Sequence, residues 1–289
     1  MNNEGLMKAR STVKDSGDIL YTDKIKVKPL TKASIVIRLT LVALLMITVY
    51  GFAMFDYGET GLFTGLKETF LNFKTMFLEA SFSRLTITDA IYQVLITLGL
   101  AFLTTIFGAI IALFLGLLAA QNLSNQYVSN IIRAFVAFIR AVPTVLWVLI
   151  FSIAAGLGSV AAVIGMTFHS VGYLIKAYSE SFEELDEGVI EALKSCGANW
   201  WQIVFQAVIP SSITYLISWT FIRFEINFSV AVAMGAAAGA GGIGFDLFMA
   251  SGFYFDLREI GIITYFILAL AMVLEVISSR MKLNLRVNH

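Results

Sequence analysis

The run from Ala90 to Ile132 contains no Asp, Glu, Lys or Arg, and it constrains the fold more than any other feature of the chain. A helix needs about 20 apolar residues to cross the hydrocarbon core of a bilayer, so the run is too long for one crossing. The composition agrees, since 58% of the 289 residues are hydrophobic and 14% are charged. A soluble domain carries about 25% charged residues. The sequence therefore predicts an all-α integral membrane protein.

About six transmembrane helices are predicted from the hydrophobic tracts and the turns between them. The polar cluster 122–126 ends the second span, and a turn at 156–158 separates the third span from the fourth. Pro143 is expected to kink the third span, because proline removes an intrahelical hydrogen bond. The predicted spans are residues 39–55, the part of 90–132 before the polar cluster, 131–155, 159–178, 210–234 and 260–277.

The basic residues predict the orientation of the chain. Six crossings place both termini on one side of the membrane. Fifteen of the 20 Lys and Arg residues fall on that side, four fall on the other, and Arg223 lies within a span. Loops rich in Lys and Arg stay in the cytoplasm, so residues 1–34 are predicted to be a cytoplasmic tail and residues 35–289 the transmembrane domain. The loop 179–209 between spans four and five is then cytoplasmic as well.

The sequence lacks the residues that nucleic-acid binding, ATP binding and metal or nucleophilic catalysis usually require. The net charge is zero, which gives no indication of a nucleic-acid partner. No Gly-x-x-x-x-Gly-Lys-Ser/Thr phosphate loop occurs, so ATP and Mg²⁺ are not expected to bind to this chain. One Cys and two His are too few for the usual metal or nucleophile arrangements. We therefore expect a subunit that is not an enzyme and holds no cofactor or metal.

The loop between spans four and five carries the most informative pattern. Glu191-Ala-Leu193 is followed after three residues by Gly197, and after nine more residues by Ala207-Val-Ile-Pro210. The pattern resembles the signature of ABC-importer permeases, which is Glu-Ala-Ala, three residues, Gly, nine residues and Ile-x-Leu-Pro. The spacing is intact, and the departures are Leu193, Ala207 and Ile209. The resemblance implies coupling to a separate ABC ATPase through Glu191, Ala192, Leu193, Gly197 and Pro210.

Helix-forming signals in this loop agree with the resemblance. Acidic residues from Glu183 to Glu187 are favourable at a helix N-terminus. Gly197 suits a turn after a first short helix, Trp200 can begin a second one, and Pro210 fits the first turn of the next span. Such a helix–turn–helix would protrude between two spans. The alternative is an amphipathic loop that lies on the membrane surface, but anionic lipid would repel its acidic residues.

Further segments resemble phosphonate-transport permeases in particular, and together the likeness covers residues 85–289. The glycine-rich stretch 235–248 and the segment 255–259 look like the region before the last span of that group. The stretches 115–122 and 140–147 also look like it, as does Gly156-Leu-Gly158 with His169 after it. The resemblance implies an oxyanion substrate, with phosphonate, phosphate and phosphite left open.

The glycine-rich stretch allows two interpretations. Glycines allow two helices to pack closely, as in the Gly-x-x-x-Gly pattern at 235–239. They also weaken a continuous helix, by about 1 kcal/mol each relative to Ala. Gly239, Gly241 and Gly242 could then form a broken or re-entrant segment that lines a substrate path. We expect a structural role, with pathway lining as a consequence in a dimer.

Three polar side chains fall within the predicted spans. Arg223 and Glu225 lie in span five and His169 lies in span four. Charged residues inside a membrane usually face a bundle interior or a cavity. Arg223 could attract an anionic substrate or form a structural ion pair, although Glu225 is a poor helical partner at a spacing of two. For His169, a hydrogen bond in helix packing is favoured over a role as substrate ligand.

The resemblance implies a type I ABC-importer permease with a cytoplasmic coupling helix between helices four and five. Its expected partners are an ABC ATPase dimer, an extracytoplasmic substrate-binding protein and a second permease copy. Transport would follow an alternating-access cycle in the bacterial inner membrane. The alternatives are a permease for another small solute, an ion-coupled secondary transporter, a membrane enzyme and a membrane scaffold. No convincing internal repeat or cluster of intramembrane acids favours the secondary transporter or the enzyme.

Overall fold

The computed structural model of the chain describes residues 32–54 and 61–287, and within these ranges every regular element is helical. The chain divides into two compact units, residues 1–65 and 66–289. Five described helices are long and apolar enough to cross a membrane, or six if one bent helix pair forms a single span. The prediction of an all-α protein with about six spans is therefore confirmed.

Helix α1 (Lys32–Met54) belongs to the first unit. It begins before the predicted span 39–55, and none of its side chains is buried. Phe55 and the first 31 residues of the predicted tail lie outside the described residues.

Helix α2 (Leu62–Leu78) was not predicted. Its charged residues, Lys67, Glu68 and Lys74, interrupt the apolar tract that would have identified a span. Its C-terminal end packs closely against the last helix, where the hydroxyl of Tyr265 donates a hydrogen bond to the Phe77 carbonyl.

Helices α3 (Ile87–Ala119), α4 (Gln126–Ala141), α5 (Thr144–Ala155) and α6 (Ser159–Glu183) follow. Helix α3 starts at a capping box and ends just before the polar cluster, as predicted. The predicted span 131–155 is divided into α4 and α5, which meet at an angle of 93°, and the break lies at Pro143, where the sequence predicted a kink. Val142 is extended (φ −95°, ψ 125°), as a residue that precedes proline tends to be.

The last part of the chain forms α7 (Glu187–Ser195), α8 (Trp200–Ile203), α9 (Ile209–Ala238), α10 (Ile243–Met249) and α11 (Leu257–Val287). A π-helical segment, Val204–Val208, joins α8 to α9, and a second one, Ala250–Tyr254, follows α10. The predicted helix start at Trp200 is confirmed, but this helix is not separate from the next span, because helical structure is continuous from Trp200 to Ala238.

Helix α6 lies at the centre of the second unit and contacts α3, α4, α5 and α9. Glycines make this close packing possible. A Cβ atom on Gly165 would lie 2.6 Å from the Val148 backbone in α5, and one on Gly172 would lie 2.7 Å from the Ile139 side chain in α4. Small residues allow membrane helices to pack closely in this way. This packing brings polar groups of α3, α6 and α9 together.

Candidate functional site

Helix α7 and its turn occupy the segment with the signature spacing. Asp186 caps the helix by accepting a hydrogen bond from the Gly188 amide at 2.8 Å. Ile190 is buried and Leu193 is half-buried against the large core cluster. Gly197 has φ 82°, the left-handed conformation that the sequence predicted for this turn.

Two details of the predicted α7 helix are wrong. Glu183 ends helix α6 and Glu184 follows it, so only Asp186 and Glu187 lie at the start of α7. The first residues of the loop predicted at 179–209 therefore belong to α6, which ends at Glu183. The expected apolar stripe is also shorter, because Val189 is exposed.

The outward side of α7 presents the first two residues of the signature. Glu191 and Ala192 are exposed, and Gly197 is exposed beside them. Pro210 lies in the first turn of α9, as predicted, and this helix directly follows the π-helical segment Val204–Val208. The signature therefore combines an exposed surface, a sharp turn and a helix start within one segment.

Trp200 ties this segment to the neighbouring α3–α4 connection. Its indole Nε1 donates a hydrogen bond to the Leu123 carbonyl at 2.9 Å. Asn199 and Gln202 form a capping box that fixes the start of α8. Trp201 is 54% exposed and stacks on Phe205. The two adjacent indoles therefore have different environments, which the sequence alone did not indicate.

A cluster of hydrogen bonds surrounds the end of α6, and we call it the Glu183 cluster. Glu183 accepts a hydrogen bond from the Gln121 amide at 2.6 Å and pairs with the guanidinium of Arg133. Arg133 also donates from Nε to the Ala119 carbonyl at 3.0 Å. Asn122 Nδ2 donates to the Phe182 carbonyl at 2.9 Å. The cluster connects the ends of α3 and α6 to α4.

A second polar cluster is buried between α3, α6 and α9. Asn227 Nδ2 lies 2.9 Å from both Thr105 Oγ1 and Ser170 Oγ and 3.3 Å from Thr104 Oγ1. All four side chains are buried. Hydrogen bonds of this kind hold membrane helices together, because lipid offers polar groups no alternative partner. The residues were missed at the sequence level because each is uncharged.

Arg223 lies at the edge of the Asn227 cluster and is 3% exposed. Its Nε donates to Ser170 Oγ at 3.0 Å, and its guanidinium carbon lies 5.1 Å from the centre of the Tyr173 ring. Its Nη2 is buried and has no hydrogen-bond partner among the described residues. Arg223 and Glu225 lie on different sides of α9.

Glu225 and His169 lie in different surroundings from Arg223. Glu225 is half-buried and lines two open clefts, one with residues of α5 and one with residues of α11. His169 is half-buried, and its Nδ1 has no hydrogen-bond partner among the described residues. The hydrogen bond that we expected from a packing histidine is therefore not formed at this atom.

The glycine-rich stretch forms a sharp break between α9 and α10. Gly239, Gly241 and Gly242 all have positive φ, at 63°, 78° and 75°. The Ile243 amide donates to Thr97 Oγ1 at 3.0 Å, and a Cβ on Gly242 would lie 2.3 Å from that oxygen. The break thus joins α10 to α3. The structure has both features that the sequence left as alternatives, a broken helix and close packing at Gly235.

Next to α10, a third polar group connects α11 to the start of α3. Glu259 accepts hydrogen bonds from the amides of Arg84 and Leu85 at 3.0 and 2.7 Å.

Two aspartates near Glu259 have shifted pKa values. Burial, followed by the charges of Glu259 and Asp89, raises the pKa of Asp246 to about 6. The Ser83 side chain and the amides of Glu259 and Arg258 lower the pKa of Asp256.

Comparison with known families agrees with this architecture. Residues 112–285 match the family described as the binding-protein-dependent transport system inner membrane component. The match covers more than half of the chain, and the chain belongs to this family. It is therefore a multi-pass membrane component of a transport system.

Several curated relatives are similar to the chain. The phosphate-import permease protein PhnE of Mycolicibacterium smegmatis is 33% identical over 53% of the chain and 29% of its own length. The phosphite transport system permease protein PtxC of Stutzerimonas stutzeri is 31% identical over 63% of the chain and 66% of its own length. The methionine import system permease protein MetP of Bacillus subtilis is 29% identical over 53% of the chain. The chain spans less than two thirds of the length of the first relatives that it matches.

Solved structures show the same fold. An inward-facing structure of the MetNI methionine ABC transporter matches with a TM-score of 0.63 and 21% identity, over 71% of this chain and 99% of that one. A bacterial ABC transporter that imports alginate matches with a TM-score of 0.59 and 13% identity, over 87% of this chain and 98% of that one. The fold is that of the permease subunits of ABC importers, as the sequence predicted.

Proposed function

We propose that the chain is the permease subunit of an ATP-driven importer for phosphonates or related phosphorus oxyanions. The observation that carries the proposal is the α7 segment, in which the signature residues form an exposed helix followed by a turn at Gly197. The phosphorus substrate rests on the similarity to phosphate-import and phosphite transport permeases.

In this proposal, α7 docks on one subunit of an ABC ATPase dimer, which alone binds ATP and Mg²⁺. The chain itself is non-catalytic. Glu191 and Ala192 contact the ATPase, Leu193 attaches the helix to the core, and Gly197 and Pro210 fix its angle to α9. Rigid-body movement of the ATPases is then transmitted to the spans. Both termini and α7 lie in the cytoplasm, in accord with the distribution of basic residues.

We further propose that two copies of the chain enclose the substrate path, with an extracytoplasmic binding protein docked on the outer face. Arg223 and His169 supply positive or polar groups near that path. Glu225 faces the second copy, and Gly239, Gly241 and Gly242 shape the outer end. The alternating-access cycle would open the dimer outward when the ATPases close and inward after hydrolysis.

Co-purification and uptake test the proposal. The tagged chain is co-expressed with ABC ATPase and binding-protein candidates, and uptake into proteoliposomes is measured with phosphonate, phosphite, phosphate and methionine. We expect recovery of an ATPase and ATP-dependent uptake of a phosphorus oxyanion. Failure to recover any ABC ATPase would overturn the proposal. Uptake of methionine alone would support the permease role but contradict the proposed substrate. The similarity to methionine permeases is the reason to include methionine in the assay.

A further inference from the structure

Helix α4 has apolar residues on its exposed side and basic residues on the side that faces α6. Ile131, Phe135 and Phe138 are 70%, 49% and 58% exposed. Arg133, Val136 and Arg140 lie on the opposite side, which packs against α6. The apolar residues therefore point outward and the basic residues point toward the neighbouring helix. In membrane proteins, charged residues in this arrangement face a water-filled cavity or a partner charge.

A cavity of about 230 Å³ lies between α4 and α6, and we call it the basic cleft. Val136, Ala137 and Ile175 form its apolar wall. Its charged lining consists of Arg133, Arg140, Lys176 and Glu180. Three cations and one carboxylate therefore share a small concave space.

The available carboxylates do not neutralise these cations. Arg133 is paired with Glu183. Lys176 lies 3.5 Å from Glu180, but both side chains are about half exposed, so this pair is weak and its lysine can exchange partners. Arg140 forms no hydrogen bond or ion pair with any described residue. The basic cleft thus keeps at least one unpaired guanidinium and one exchangeable ammonium group.

Arg140 is exposed, but its aliphatic part packs against α6. Its aliphatic part lies over Gly172 of α6, since a Cβ atom there would be 3.6 Å from Arg140 Cγ. A second cavity of about 150 Å³ shares Arg140, Lys176 and Glu180 with the basic cleft and adds Tyr173 and Trp219. Arg223, with its unpartnered buried Nη2, lies against the same Tyr173 ring. Positive groups from three helices therefore surround one region.

We propose that the basic cleft binds a phosphorus oxyanion, with Arg140 and Lys176 as its principal ligands. Arginine offers a planar pair of donors that matches two oxygens of such a group, and a lysine adds a second charge. The oxyanion is either the headgroup of an anionic lipid or a free phosphate-type ion. Basic clefts between membrane helices are known to bind lipid headgroups. A free ion in the cleft would instead be the transported substrate, and this second source rests on the proposed function.

The test measures binding without ATP and without the binding protein, so it does not depend on transport. The full chain, with its ATPase where one co-purifies, is prepared in phosphatidylcholine nanodiscs. In one arm, inorganic phosphate, phosphite or methylphosphonate is titrated while Trp fluorescence is followed, because Trp219 lines the adjoining cavity. In the other arm, native mass spectrometry of delipidated protein compares phosphatidylglycerol with phosphatidylcholine.

Three variants make the test specific. Arg140→Gln combined with Lys176→Gln should weaken binding by about tenfold or more, the effect of losing charge-assisted hydrogen bonds. Arg140→Lys keeps the charge but loses the planar pair of donors, so it should weaken binding less than the double variant does, which controls for misfolding. Arg280→Gln removes an exposed arginine on α11, outside the cleft, and should leave binding unchanged.

The proposal is supported if the wild-type protein binds saturably in either arm and the double variant loses this binding. The arm in which binding occurs identifies the source of the oxyanion. No saturable binding in either arm would overturn it. Binding that is equal in wild type and double variant would also overturn it. If the uptake assay identifies methionine as the substrate, binding in the lipid arm still supports an oxyanion site, so the two proposals can fail separately.

Discussion

Some buried polar residues can be identified from the sequence because they are charged, whereas others are recognised only from their contacts in the fold. Arg223 was identified because a charge within an apolar span is costly. Asn227, Ser170 and Thr105 were not, because uncharged polar residues are common in membrane helices and acquire importance only when they meet. The sequence could therefore predict that Arg223 faces the bundle interior or a cavity. Its hydrogen bond to Ser170, however, depends on how helices that are distant in the sequence pack together.

Asp246 gives a prediction about pH. Its pKa is raised from 3.8 to about 6, mainly by burial, so ionisation costs the folded state more than the unfolded state. Stability should therefore fall as the pH rises from about 4 through 6, by about 1 kcal/mol after allowance for solvent screening. Asp246→Asn should remove this loss. Thermal unfolding of both proteins in detergent at pH 4.5 and pH 7.5 measures the difference.

Asp256 supplies the control for this experiment. Its pKa is lowered, so its stabilising contribution is fully present above its unfolded pKa and is constant across the same range. Asp256→Asn should thus destabilise the protein equally at both pH values. A wild-type protein whose stability relative to Asp246→Asn does not change between the two pH values would contradict the prediction.

Among the elements, helix ends were easier to predict than helix continuity. Gly156 to Gly158, the cluster at 122–126 and Gly197 all end helices where expected, because glycines and short polar side chains provide the local breaks. The π-helical link Val204–Val208 between α8 and α9 could not be predicted, since its sequence is compatible with either a turn or a helix. Helix α2 was missed because its charges concealed it from a search for apolar tracts.

The contact between α8 and the α3–α4 connection should affect energy coupling. If α7 and α8 move with the ATPase, the Trp200–Leu123 hydrogen bond carries that movement to α3 and α4. Trp200→Phe removes the indole donor but keeps an aromatic ring. We expect transport per ATP hydrolysed to fall by about fivefold, which corresponds to one hydrogen bond of about 1 kcal/mol. Uptake and ATPase activity measured in the same proteoliposomes give the ratio.

Trp201→Phe is the matched control, because Trp201 is largely exposed, stacks on Phe205 and contacts Trp200 edge-on, and its change leaves the Trp200 indole donor in place. Its ratio of transport to hydrolysis should remain close to that of the wild type. Equal ratios for Trp200→Phe and the wild type would show that this hydrogen bond carries no coupling.

The fold of α10 against α9 depends on Gly244. A Cβ atom at this position would lie 1.9 Å from the Val232 carbonyl oxygen, so Gly244→Ala requires the two backbones to separate. We expect a loss of several kcal/mol, comparable to severe overpacking of a core. The measurement is the yield of monodisperse protein and its unfolding temperature. Gly99→Ala in α3, where no atom lies within 4 Å, should be neutral or slightly stabilising.

For the whole molecule, the composition predicted the class of fold, and the orientation inferred from the basic residues stays a prediction. The proposed dimer depends on surfaces that one chain cannot complete. Helix α9 carries a polar stripe that points away from the core of its own chain. Its members are Ser211, Thr214, Ser218, Glu225 and Ser229, and none of them is fully buried. Polar groups are disfavoured against lipid, so such a stripe indicates a partner helix or a water-filled path.

The polar stripe leads to a prediction about the dimer. If two copies meet along α9, Ser229 of one chain should approach its counterpart near the two-fold axis, because an isologous interface brings identical residues together. Ser229→Cys in a Cys196→Ser chain should form a disulfide-linked dimer when membranes are treated with a mild oxidant. Phe138→Cys, on the apolar outer side of α4, is the control and should remain monomeric. Gel electrophoresis without reductant separates the two forms. Equal cross-linking at both positions would indicate random collision in the membrane, and none at Ser229 would place the dimer interface on another helix.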